Sequence, residues 1–152
     1  MENLITLSIG IGLVVSLAFS EMLGIAAGGM VVPGYVALYL DRPVAVFLTL
    51  LVSFLTFFVV HSLSAVMIIY GRRRTVLMIL VGFAMGALIR SFGTLELPAG
   101  AVDLAIIGYI IPGLIAIWID RQGLVESVSA LVIASVLVRL TLLLITGGEM
   151  KI

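Results

Sequence analysis

Six long apolar runs, separated only by short charged breaks, constrain this chain more than any other feature. They lie at Leu4–Ser20, Met22–Leu40, Pro43–Tyr70, Thr75–Ile89, Leu104–Ile119 and Val128–Thr146. A helix that crosses the hydrocarbon layer needs about 20 mostly apolar residues. The first three runs meet that length, and Pro43–Tyr70 exceeds it, leaving room for tilt. Thr75–Ile89 is short, but a snorkelling Arg90 extends it to Phe92. Arg139 interrupts the last run. Charged residues make up 11% of the chain, against about 25% in soluble domains. Hydrophobic residues reach 63% and mean hydropathy is +1.40. There is too little polar surface to cover a water-soluble globule. The pattern predicts one all-α membrane domain over 1–152 with about six transmembrane helices. Five or four are the expectation if a proline-broken run is re-entrant.

Six crossings put Arg72, Arg73, Arg74 and Arg121 on one side, and Arg42, Arg90 and Lys151 on the other. The positive-inside rule then makes the Arg triplet cytoplasmic and both termini external. The N-terminus has neither a basic region nor a small-residue cleavage site, so the first run is expected to be a retained anchor. Zero net charge gives no reason to expect nucleic acid. With no cysteine and a single histidine, His61, no metal site is expected. The segment Gly24-Ile25-Ala26-Ala27-Gly28-Gly29 lacks the lysine of a phosphate-binding loop. No nucleophile–base pair or catalytic carboxylate pair is evident, so no catalytic residue or cofactor is assigned to this chain, and it is not expected to be an enzyme alone.

An internal repeat is visible. Val31-Val32-Pro33-Gly34-Tyr35-Val36-Ala37-Leu38-Tyr39-Leu40-Asp41-Arg42 aligns in frame with Ile110-Ile111-Pro112-Gly113-Leu114-Ile115-Ala116-Ile117-Trp118-Ile119-Asp120-Arg121. Gly29 pairs with Gly108 and Ala26 with Ala105. Proline, aspartate and arginine are rare here, so their shared frame is informative. Halves of about 1–73 and 74–152 would each hold three helices, the middle one interrupted at Pro-Gly. An odd number of crossings per half inverts the second relative to the first, as in transporters, where interrupted segments point to the working site. A duplication kept only for packing is the competing reading.

The candidate functional residues follow from cost. Proline removes a backbone donor and clashes with the carbonyl four residues back, so Pro33 and Pro112, with Gly34 and Gly113, mark helix breaks. Such breaks are tolerated at membrane depth only against protein or a wet cavity. Arg42 and Arg121 close the interrupted runs, either as interface punctuation or facing an anion at a pore mouth. Glu21 sits between two runs. Arg139 costs about 2.5–3.5 kcal/mol if buried at a helix centre; in the repeat frame it aligns with Val60, beside His61. It is expected to face inward, with snorkelling as the alternative. Arg72, Arg73 and Arg74 anchor topology and contact anionic lipid, or dock a soluble partner or polyanion.

Three ordered motifs carry a family resemblance. Phe19-Ser20-Glu21-Met22-Leu23-Gly24-Ile25 with Gly28-Gly29-Met30-Val31-Val32-Pro33-Gly34-Tyr35, then Tyr70-Gly71-Arg72-Arg73-Arg74, then Ile107-Gly108-Tyr109-Ile110-Ile111-Pro112-Gly113-Leu114-Ile115-Ala116 with Gln122-Gly123-Leu124, resemble the PgsC/CapC family. This is the small membrane subunit of poly-gamma-glutamate synthase, and the resemblance spans nearly the whole chain. It implies a multi-pass subunit in a bacterial or archaeal cell membrane. The implied partners are a PgsB/CapB-like ligase, which would hold the ATP and magnesium, a PgsA/CapA-like subunit, and the poly-gamma-glutamate product. His61 stands where some relatives carry lysine, and nothing is carried over to Arg90 or Arg139. The resemblance leaves open whether the subunit anchors the ligase, passes the polymer, or assembles with its own copies. A stand-alone secondary transporter of a small anion is the alternative function, and a pure scaffold a third.

Overall fold

A computed structural model describes residues 2–92, 94–97, 100–103 and 107–148. Among the described residues it contains six helices: α1 (Glu2–Leu23), α2 (Val32–Leu38), α3 (Pro43–Val66), α4 (Arg72–Ser91), α5 (Ile111–Gln122) and α6 (Leu124–Thr146). Four of them, α1, α3, α4 and α6, are long and apolar enough to cross a membrane. The longest, α3, spans about 36 Å at 1.5 Å per residue. Its start is set by Pro43, whose fixed φ suits a first turn and whose missing N–H is no loss there. At the other end of the chain, Gly147 takes a left-handed conformation (φ 67°) and stops α6, with Gly148 N–H bonding back to the Leu143 carbonyl at 3.1 Å.

The two Pro-Gly runs differ from continuous spans. Residues 24–31 are non-helical, and beyond the end of α1 only Val32–Leu38 of that run forms helix. Likewise non-helical chain at 107–110 leads into α5. Pro33 and Pro112 therefore sit in the first turns of short helices, not in kinked long ones. Gly29 and Gly108, four residues back, have φ of 120° and 60°. Their carbonyls lie outside any helix, so the clash that a proline would cause inside one does not arise. The residues that precede the two short helices match closely: Val31 has φ −95°, ψ −26°, and Ile110 φ −94°, ψ −25°.

No apolar run or motif of the sequence announces the connection between α4 and α5. It holds a hairpin, β1 (Thr94–Leu97) antiparallel to β2 (Gly100–Asp103), with Thr94 opposite Asp103 and Leu97 opposite Gly100. Ala105, one partner of the repeat frame, lies outside the described residues, as does Lys151.

Packing brings the helices into two interlocked groups. In one, α1 packs on α2 and α6, and α2 on α6. In the other, α4 packs on α5 and α3, and α5 on α3. The third helix of each sequence half thus packs mainly on the other half. Glycines set the closest approaches. A Cβ on Gly34 would lie 2.7 Å from the Ser8 carbonyl oxygen, and one on Gly12 2.8 Å from the Gly34 backbone. In the other group, a Cβ on Gly113 would lie 2.8 Å from Ile79 Cα, and one on Gly82 2.6 Å from Gly113 N. Pro33, Gly34, Pro112 and Gly113 are all buried. A central apolar cluster (Val32, Val36, Ala45, Ile107, Ile111, Ile115, Ile119 and Leu131) joins the two groups.

Candidate functional site

Non-helical backbone inside an apolar chain must find its hydrogen bonds in side chains, and polar residues of neighbouring helices supply them. Gln122 grips both polar groups of Ala26: its Oε1 accepts from the Ala26 N–H at 3.0 Å, and its Nε2 donates to the Ala26 carbonyl at 2.5 Å. The Ser16 hydroxyl donates to the Gly29 carbonyl at 3.0 Å, and just inside α2 that of Ser8 donates to the Gly34 carbonyl at 2.7 Å. On the other segment the Ile107 N–H donates to the Thr49 hydroxyl at 3.0 Å, which in turn donates to the Ala45 carbonyl at 2.7 Å. Gln122 is the only glutamine of the sequence. Its rarity was the available signal, although its partner stands 96 positions away. Replacing it with leucine should leave the Ala26 N–H and carbonyl without partners, at about 1–3 kcal/mol for each buried group. Amide hydrogen exchange over residues 25–29 should then speed up by tenfold or more, roughly the equivalent of 1.4 kcal/mol. Unchanged exchange would remove the clamp role.

Charge gathers at the two ends of the helices. From Pro43, beside the first end, to His61, near the second, α3 rises about 27 Å. At the first end Arg139 reaches from α6 to α2: Nη2 meets Asp41 Oδ1 at 2.5 Å, and Nη1 donates to the Ala37 carbonyl at 3.1 Å. The Arg139 side chain is 15% exposed and that of Asp41 57%, so the pair reaches out toward the exposed end. Arg42 lies next to it, exposed, as the residue before α3. Arg90 closes the same end on the other group, its guanidinium 4.3 Å above the Tyr109 ring.

At the second end Arg74 is paired with Asp120. Its Nη2 also lies 3.3 Å from His61 Nδ1, and its Nη1 3.5 Å from the Ser64 hydroxyl. Arg121 sits over the Trp118 ring at 5.5 Å. Arg72, Arg74, Asp120 and Arg121 line a cavity of about 320 Å³, together with the buried side chains of Met78 and Ile117. Arg73 is exposed and outside this lining. Glu21 is exposed near the end of α1.

The repeated Asp-Arg pairs thus fall at opposite ends, each aspartate held by an arginine from a different helix. The structure brings Arg72, Arg74 and Arg121 together, and separately Arg42 and Arg139. It sets Glu21 apart from both, and it buries the two Pro-Gly pairs against α1 and α4. His61 and the two aspartates were not among the candidate residues. Their role follows from partners 13, 46 and 98 positions away, which no local pattern reveals.

These features define a helical membrane protein with an ion-paired arginine near each end of the fold. The sequence profile of the family described as capsule biosynthesis CapC matches residues 11–128. The PGA biosynthesis protein CapC of Bacillus subtilis (strain 168) is 42% identical over 115 residues, covering 75% of this chain and 76% of that protein. The capsule biosynthesis protein CapC of Bacillus anthracis is 36% identical over 126 residues, covering 82% and 84%. No solved structure matches the chain. The chain belongs to the capsule biosynthesis CapC family. The matched region includes Pro33, Arg72–Arg74, Pro112 and Gln122 and ends before Arg139.

Proposed function

We propose that this chain is the multi-pass membrane subunit of a poly-gamma-glutamate capsule synthase in the cell membrane. In this reading it anchors an ATP-dependent ligase and takes part in passing the anionic polymer. The observation that carries the reading is the family match across 11–128, joined to four helices long and apolar enough to span. The ATP and magnesium chemistry belongs to the ligase partner, and a CapA-like subunit completes the assembly.

The proposed topology is two inverted three-helix repeats with six crossings. Several observations support it. Tyr109 lies beside Arg90 and Asp120 beside Arg74, so residues 109–120 run along α4 over a rise of about 24 Å. That approaches the hydrocarbon thickness of about 30 Å, although only part of the segment is helical. Residues 29–34 run antiparallel to α1 in the same way, from Ser16 to Ser8. The Ser8–Gly12 stretch that receives Gly34 has its counterpart in Met78–Gly82, which receives Gly113. The spacing between α1 and α4 is shorter than that between the Pro-Gly pairs, and the hairpin insertion accounts for the difference.

The Arg triplet is proposed to be cytoplasmic, with exposed Arg73 on the ligase-docking face. Because the chain has no cysteine, Arg73→Cys provides a single reporter. A membrane-impermeant maleimide should label it only after the cells are opened; labelling in intact cells would reverse the orientation. Replacing Arg72, Arg73 and Arg74 by glutamine should abolish co-purification of the ligase. Undiminished co-purification would refute docking and leave orientation standing. The transporter reading draws on the repeat-related non-helical segments before α2 and α5, and glutamate flux into liposomes that contain this chain alone would favour it.

A further inference from the structure

We infer that the cavity bounded by Arg72, Arg74 and Arg121 is a specific site for a phosphate group at the membrane surface. It holds three guanidiniums and one carboxylate. Arg74 is already committed to Asp120 and His61. Among the described residues Arg72 and Arg121 have no carboxylate partner. The Arg74 Nε is buried and has no hydrogen-bond acceptor. A buried donor without a partner costs about 1–3 kcal/mol, and a rotation of the Arg74 side chain that turns it to an anion in the cavity would recover that cost.

The geometry favours phosphate over a lone carboxylate. The three arginines come from two helices, α4 and α5, and line one cavity. A tetrahedral oxyanion offers acceptor oxygens along more directions than a planar carboxylate, and arginine forks bind it in bidentate fashion. Buried Met78 and Ile117 form the apolar part of the cavity wall. Arg74 directly precedes Thr75, where the apolar stretch of α4 begins. This is the depth at which lipid phosphates lie, so the phosphate can come from an anionic phospholipid headgroup or from a phosphate ester in the aqueous phase.

The inference rests on this cavity alone, and its test uses the purified full-length chain without partners. Failure would therefore leave the proposed assembly role untouched. Inorganic phosphate binding is measured in detergent. Lipid retention is measured in nanodiscs of phosphatidylcholine with and without phosphatidylglycerol. Arg72→Gln and Arg121→Gln, both at exposed positions, should each weaken binding about tenfold, the loss of one charge-assisted contact. Arg73→Gln removes the same charge from the same triplet but lies outside the cavity, and should change binding less than about twofold. Selective phosphatidylglycerol retention without phosphate binding identifies the lipid source. Saturable phosphate binding identifies the aqueous source. Equal losses in all three variants would mean a diffuse positive field and overturn the site. So would the absence of binding to either probe, or binding of a glutamate oligomer alone.

Discussion

Gly34→Ala and Gly113→Ala should each destabilise the folded chain by about 3 kcal/mol, lowering the melting temperature in detergent by roughly 10 °C. The added methyl at Gly34 would sit 2.7 Å from the Ser8 carbonyl oxygen and 3.0 Å from Ile9 Cα. At Gly113 it would sit 2.8 Å from Ile79 Cα and 2.9 Å from the Met78 carbonyl oxygen. These are backbone atoms within long helices, so relief requires a whole helix to shift. Such a shift at Gly34 also breaks the Ser8 hydrogen bond to its carbonyl, which has no equivalent at Gly113 because Met78 occupies the matching place. Gly10→Ala is the control. It lies in α1 with nothing within 4 Å of its Cβ, and alanine there should be neutral or slightly stabilising through helix propensity. Equal melting temperatures for Gly34→Ala and Gly10→Ala would show that α2 does not seat against α1 as described.

Arg139→Leu should cut secreted polymer to roughly one tenth or less, the loss expected when a charge-assisted contact worth about 1.5–3 kcal/mol disappears. Membrane insertion should hold or improve, because arginine within a span is costly. The hypothesis behind the first figure is that Arg139, with Arg42 beside it and Arg121 at the far end, guides the polyanion. Arg139 is also tied to Asp41 and the Ala37 carbonyl, which gives a competing role of clamping α2 to α6. Asp41→Leu separates the two. If the clamp is all that matters, both leucine variants lose output equally. If the charge guides polymer, Asp41→Leu retains more output than Arg139→Leu, and Arg139→Lys keeps part of it although the planar donor fork is lost. The readout is secreted polymer per inserted subunit, with ATP-dependent synthesis inside the cell assayed separately. Full output from Arg139→Leu would end the guiding role. Loss of synthesis together with secretion would favour a scaffold that couples to the ligase.

The long helices and the repeated Pro-Gly and Asp-Arg frame were legible in the sequence because hydropathy and rare residues report directly on them. The shortness of α2 and α5 was not. A proline four residues after a glycine reads equally well as a kink within a helix or as the first turn of a new one. Hydropathy cannot distinguish them, because the unpaired backbone of residues 24–31 is served by Ser16 and Gln122 from elsewhere in the chain. The anomaly of Arg139 was visible, and its partner was not, since Asp41 stands 98 positions away. The same holds for Arg74, which read as one of three equivalent surface arginines. Its pairing with Asp120 requires α4 and α5 to lie side by side and antiparallel. The exchange of the third helices was equally hidden, because α3 and α6 are apolar on nearly every face and their patterns favour no particular neighbour.

The most direct measurement is capsular polymer per cell in the native host after deletion of this chain, with the wild-type chain restored from a second copy. The expected result is that polymer disappears on deletion, returns on restoration, and fails to return when the ligase partner is also absent. Polymer maintained at its normal level without this chain would contradict its role as a subunit of the synthase.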